Sequence, residues 1–146
     1  GDLVLDYGGG KFDYGSEYIK DKTGATSVVY DKYSRDESHN KKVIDIIKNG
    51  VDVSFLNNVL NVIKDESERK EVIKSAYSPL KSGKNMYVTV YYNPRKVGEG
   101  GSLVKKGETY NWQEHRKTAD YIDEIQKALP DAKVVRKGEL IIITKP

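Results

Sequence analysis

The chain has 146 residues, 32% charged and 37% hydrophobic, enough for one domain around one core. It has no cysteine and only two histidines, His39 and His115, which excludes a disulfide framework and a thiolate nucleophile and argues against a metal site. The net charge of +3 is spread along the sequence, and no apolar run approaches the ~18 residues that a membrane helix needs.

Leu3-Val4-Leu5 is a short apolar run ending in Asp6 and a glycine cluster, the pattern of a buried strand feeding a tight turn. Tyr14, Tyr18 and Ile19 follow at helical spacing, with Gly24 as a C-terminal stop. Ser27 to Tyr30 is β-branched and apolar and predicts a second strand ending at Asp31. After a polar loop from Lys32 to Asn40, Val43, Ile44 and Ile47 share one face of a helix that stops at Asn49-Gly50. A strand over Val51 to Leu56 precedes Asn57-Asn58. Asp65 and Glu68 form a capping-box pattern before a helix whose apolar face is Val72, Ile73, Ala76, Tyr77 and Leu80. Pro79 to Gly83 ends that helix, and Met86 to Tyr92 predicts the next strand.

Asn93 to Tyr110 holds Pro94 and four glycines and is expected to be a long loop. Its Arg95-Lys96 and Lys105-Lys106 pairs suggest an anionic partner, nucleic acid among them, against the plainer reading of a solvated surface. Asn111 and Glu114 are expected to cap a long last helix carrying Ala119, Ile122, Ile125 and Leu129, with Trp112 at its start packed on the sheet. Strands at Lys133 to Val135 and Leu140 to Ile143 follow, joined near Lys137-Gly138. Both histidines lie in polar surroundings and are expected at the surface. The order βαβαβαβ, then αββ, predicts an α/β fold with a mostly parallel sheet, helices on both faces and a closing antiparallel hairpin.

In open parallel sheets ligands bind beyond the carboxyl ends of the strands, where the strand order reverses. Asp6-Tyr7-Gly8-Gly9-Gly10, Asp31 and Asn57-Asn58 all fall at such ends. Glycines after the first strand let backbone approach a ligand. An acid about 20 residues further on, here Asp31, can accept hydrogen bonds from both ribose hydroxyls. The dinucleotide fingerprint GxGxxG fails: from Gly8 it meets Asp13, and from Gly10 it meets Phe12. A phosphate-binding glycine-lysine-serine/threonine triplet is absent. A tight strand–helix turn and a capping acid would explain the same residues without a ligand.

Asp6-Tyr7-Gly8-Gly9-Gly10 resembles the first motif of class I S-adenosylmethionine-dependent methyltransferases, acid-x-Gly-x-Gly-x-Gly, with Phe12 in place of the third glycine. Asp31 matches that family's ribose-binding acid, and Asp52 through Ile63 resembles its fourth strand and the segment after it. The last helix and two strands resemble its closing hairpin. The likeness spans nearly the whole chain and is closest to compact proteins of phages and mobile elements. One strand–helix unit is missing, as is the helix that usually precedes the first strand. A lower ligand affinity or a second copy completing the site would be the consequence.

The resemblance implies a single domain over 1–146 with a Rossmann-like methyltransferase fold and S-adenosylmethionine as cofactor. It places Asp6, Tyr7, Gly8, Gly10, Asp31, Lys32, Asn57 and Asn58 around that cofactor. The implied activity is methyl transfer to an acceptor the sequence does not name. Positions 57–60 read Asn-Asn-Val-Leu, not the tetrad of enzymes that methylate exocyclic amino groups of bases, and cytosine carbon-5 methylation normally uses a cysteine. The alternatives are a non-methylating S-adenosylmethionine binder or sensor, and a nucleic-acid-binding module with a vestigial site. The start GDLVLDYGGG lacks the flank and apolar stretch of a signal peptide, so a cytoplasmic location is expected. The basic loop from Asn93 to Tyr110 is expected to act as a lid over the cofactor or an anionic acceptor.

Overall fold

A computed structural model describes residues 2–10, 14–106 and 109–146. In chain order, β1 (Leu3–Tyr7), α1 (Tyr14–Thr23), β2 (Thr26–Tyr30), α2 (Glu37–Ile47), β3 (Val51–Asn57), α3 (Glu66–Tyr77) and β4 (Leu80–Thr89) alternate strand with helix. A hairpin of β5 (Gly101–Lys106) and β6 (Thr109–Glu114) follows, then α4 (Ile122–Ala128), β7 (Lys133–Lys137) and β8 (Leu140–Thr144). The main sheet runs in the order β2-β1-β3-β4-β8-β7. Its first four strands pair in parallel, and β8 is antiparallel to both β4 and β7. The α/β fold with a mostly parallel sheet and a closing antiparallel hairpin is the one the sequence predicts.

The order β2-β1-β3 has a physical consequence. The chain moves one way across the sheet from β1 to β2, and the other way from β2 to β3, from β3 to β4 and from β4 to β7. Right-handed crossovers therefore put α1 on one face and α2, α3 and α4 on the other. The core confirms the second group. Val43 of α2, Ile73 and Ala76 of α3, and Ile125 and Ala128 of α4 form one buried cluster with Leu5, Leu56, Met86, Val88, Ile141 and Ile143 of the sheet. On the α1 face, Val53, Phe55, Tyr87 and Ile142 stay half-buried, and Phe55 stacks on Tyr87 at 5.5 Å between ring centres.

Buried Arg69 ties the site's supports together. It donates to the carbonyls of Ile63 and Lys64, both at 2.9 Å, and pairs with Glu124 of α4 at 2.9 Å. The segment after β3 is thus anchored to α3 and α4. Asp65 caps α3 by accepting from the amide of Ser67 at 2.8 Å.

Several expectations fail in identifiable ways. Leu80 opens β4 instead of closing α3, and Pro79 to Gly83 does not separate two elements. Lys81 to Lys84 is exposed and carries no apolar signal, yet backbone bonds from Val51 N to Pro79 O and from Gly83 N to Lys145 O, both 2.7 Å, hold it in the sheet. The expected long loop from Asn93 to Tyr110 contains β5 and the start of β6, so it is corrected in part to a paired ribbon. Asn111, Trp112 and Glu114 belong to β6, not to a helix start. There Trp112, a β-former, outweighs the capping pattern and lies across Gly101, where a β-carbon would overlap the indole. The last helix shrinks to α4 behind a 3-10 turn over Thr118–Tyr121, whose Thr118 hydroxyl donates to Glu139 at 2.6 Å. Neither histidine is a surface residue. His115 is buried beside Ser102, and half-buried His39 lies 2.7 Å from the carbonyl of Val29.

Candidate functional site

The reversal of strand order lies between β1 and β3, so the crevice expected of such sheets opens at their carboxyl ends. Two adjoining clefts occupy it. One, of about 250 Å³, is lined by Tyr7, Gly8, Asp31, Lys32, Tyr33, Val59, Ile63, Glu68 and Val72 among others. The second, of about 570 Å³, shares Gly8, Asp31, Tyr33, Val59, Ile63 and Glu68 and reaches Asn58, Lys64 and the hairpin residues Asn111 and Trp112. The larger falls within the size range of small-molecule sites, and the smaller extends it.

The turn after β1 is shaped for close approach. Gly8 holds φ at +83°, donates its amide to the carbonyl of Tyr30 at 2.6 Å, and would place a β-carbon 2.8 Å from Val59. Gly10 holds φ at +85°. Side chains are disfavoured in that left-handed region, so glycine is required here on backbone grounds. Phe12 and Asp13, which break the dinucleotide fingerprint, lie outside the described residues.

Asp31 joins the two turns. Its Oδ2 accepts from the amide of Gly10 at 2.8 Å, and its Oδ1 accepts from the amides of Tyr33 at 2.9 Å and Ser34 at 3.0 Å. Asn40 fixes its backbone from both sides, accepting from Asp31 N at 3.2 Å and donating to Asp31 O at 2.9 Å. Arg35 Nε donates to the carbonyl of Gly10 at 2.8 Å. The turn-capping reading of Asp31 is therefore real. A carboxylate offers about four acceptor positions, so Oδ2 keeps capacity for a further donor.

Asp6 faces Gly9, where a β-carbon would come within 2.5 Å of its Oδ2, and its Oδ1 is buried without a hydrogen-bond partner. Burial pushes its carboxyl above the usual value; the neighbouring Asp31 charge pushes it further, and Arg35 opposes both. A half-buried carboxylate with one unpartnered oxygen, at the head of a glycine turn, fits a cationic group on a ligand. Tyr7 stacks on Tyr30 at 4.8 Å, and burial raises its hydroxyl's pKa.

Of the sequence-predicted residues, the structure brings Tyr7, Gly8, Asp31, Lys32 and Asn58 to the cleft walls. Asp6 and Gly10 lie outside both cleft linings, and Gly10 reaches them through its amide bond to Asp31. Asn57 is drawn off, accepting from Thr89 Oγ1 at 3.1 Å, whereas Asn58, at φ +57°, faces the larger cleft. Sequence reasoning missed Tyr33, Arg35, Glu68, Val59, Ile63 and Trp112. Tyr33 and Arg35 carried a signal, two and four residues beyond the acid at a strand end. Trp112 had none while its segment looked helical.

No protein-family model matches the sequence, and no curated protein matches it significantly. Solved structures do match. An S-adenosylmethionine-dependent methyltransferase from Methanosarcina mazei superposes with a TM-score of 0.70 at 16% identity, over 99% of this chain and 92% of that one. A sugar N-methyltransferase from Streptoalloteichus sp. gives 0.63 at 11% identity, over 99% and 80%. A glycopeptide N-methyltransferase complexed with S-adenosyl-L-homocysteine gives 0.64 at 8% identity, over 100% and 84%. The chain thus has the Rossmann-like fold of the class I S-adenosylmethionine-dependent methyltransferases, in a reduced form.

Proposed function

We propose that the chain binds S-adenosylmethionine in the crevice between β1 and β3 and transfers its methyl group to an acceptor in the adjoining larger cleft. The observation that carries this reading is the clasp of Gly8, Gly10 and Asp31 at the reversal of strand order, backed by half-buried Asp6, whose Oδ1 has no hydrogen-bond partner. Asp31 Oδ2 would accept from a ribose hydroxyl. Asp6, behind the cleft wall, would favour the cationic end of the cofactor through its charge, with the Gly8 turn leaving room for backbone contact. The cofactor supplies an activated methyl on a sulfonium. The protein's share is to hold that methyl in line with an acceptor lone pair and to exclude water. Val59, Val62, Ile63 and Trp112 provide apolar walls for that exclusion.

The finer expectations stand as parts of this proposal: one S-adenosylmethionine domain over 1–146, the compact type found in phages and mobile elements, and a cytoplasmic setting. Among the described residues no helix is long and apolar enough to cross a membrane. A second reading, a binder or sensor that does not methylate, is favoured by the reduced sheet, in which α2 passes from β2 directly to β3. Incubation with methyl-labelled S-adenosylmethionine and panels of small-molecule, protein and nucleic-acid acceptors separates the two. Labelled product with S-adenosylhomocysteine release supports transfer; tight binding with no turnover on any panel supports the binder.

A further inference from the structure

The smaller cleft carries two carboxylates at opposite ends of a single residue, Tyr33. The amide of Tyr33 donates to Asp31 Oδ1 at 2.9 Å, and its hydroxyl donates to Glu68 Oε1 at 2.5 Å. Tyr33 thereby acts as a ruler, holding Glu68 one tyrosine length from Asp31. Tyr33 is 75% exposed, so this geometry is kept by its two end contacts and not by burial. Between the ends the cleft is walled by Val59, Ile63 and Val72. A nucleoside has the matching layout: hydroxyl donors on the sugar, a flat ring, and a polar edge on the far side of the base. A carboxylate only accepts, so it selects an edge that donates. The bond to Oε1 leaves Oε2 to receive such a donor.

Resting on the proposed cofactor site, we infer that Glu68 is the specificity-determining residue for the base, accepting from the exocyclic amino group of adenine, with Tyr33 as its positioning residue. Glu68 stands in the first turn of α3, after the Asp65 cap, so its replacement leaves both the cap and the Arg69 anchor in place. A 6-oxo base such as hypoxanthine would set an oxygen against this carboxylate and is disfavoured. Glutamine at the same position can donate as well as accept, so its preference should move toward the oxo base.

The test is calorimetric titration of the intact chain with S-adenosylhomocysteine and with S-inosylhomocysteine. Wild type should favour the adenosyl compound by about ten-fold or more, the worth of one charge-assisted hydrogen bond. Glu68→Gln should shrink or reverse that ratio, and Glu68→Ala should shrink it by weakening the adenosyl compound and relieving the inosyl compound of the opposing carboxylate. Tyr33→Phe should shrink it in part, since Glu68 loses its hold. If the adenosyl compound binds wild type but the ratio is unchanged in Glu68→Gln and Glu68→Ala, the assignment is overturned. If neither compound binds wild type, the cofactor proposal fails, and this inference fails with it.

Discussion

The two faces of the sheet are built to different standards. Under α2, α3 and α4 the strands present Leu5, Leu56, Met86, Val88, Ile141 and Ile143 to fully buried partners. Across the same strands, the α1 face leaves Val53, Phe55, Tyr87 and Ile142 half-buried. The difference follows from one topological step: α2 leads from β2 straight to β3, so it joins the crowded face. Stability is therefore concentrated on one side. The crevice lies at the strand ends and draws on both sides, with the glycine turn leading toward α1 and the cleft wall coming from α3.

The largest effect should come from breaking the sealed face. Ile73→Ala removes a side chain with no exposure from the centre of the cluster and should cost about 2–5 kcal/mol in denaturant unfolding. A cost under about 1 kcal/mol would mean that this face is not the principal core. Asp31→Ala comes next. It should weaken S-adenosylhomocysteine binding about ten- to hundred-fold by calorimetry while circular dichroism still shows a folded chain. Unchanged affinity would return Asp31 to its turn-capping role alone. On the open face Phe55→Ala should cost roughly 1–2 kcal/mol, less than Ile73→Ala, because part of the ring is already in water. Equal losses at the two positions would erase the contrast between the faces.

The smallest effect concerns Asp6 and has the opposite sign. Burial and Asp31 raise its carboxyl pKa above the ordinary 3.8, so the folded chain holds this proton more tightly than the unfolded chain does. The ionised group then disfavours folding at pH values above the raised pKa, and the penalty disappears below 3.8, where both states are protonated. Asp6→Asn should therefore raise the apo melting temperature at neutral pH, with the gain shrinking as pH falls through that window. It should also weaken cofactor binding. A drop in apo stability at neutral pH would show that Asp6 supports the turn instead of straining it.

The part of the fold legible in the sequence is the part governed by local pattern. The runs at Leu3 to Leu5, Ser27 to Tyr30 and Val51 to Leu56 mark strands, and Gly24 and Gly50 mark helix ends at positive φ. The strand alternation then supplies the topology, and topology supplies the crevice. The hairpin was illegible because its stability is cross-strand: Trp112 needs Gly101, eleven positions back, to lie flat. The amino half of β4 was hidden for a similar reason, since exposed Lys81 to Lys84 is held by backbone bonds to distant neighbours. At the site, Gly8, Gly10 and Asp31 follow from their place at strand ends. Glu68 was visible only as a helix-capping acid, because its link to Tyr33 spans 35 positions. Asn57 and Asn58 looked equivalent until the backbone turned one toward Thr89 and the other toward the cleft.

The central claim is that the glycine turn and Asp31 form a methionine-nucleoside site and not a dinucleotide site. Thermal unfolding of the wild-type chain with S-adenosylhomocysteine and, separately, with NAD tests it most directly. The account predicts a rise in melting temperature with S-adenosylhomocysteine that grows with its concentration, and none with NAD. An equal rise with NAD, or no rise with S-adenosylhomocysteine at millimolar concentration, would contradict it.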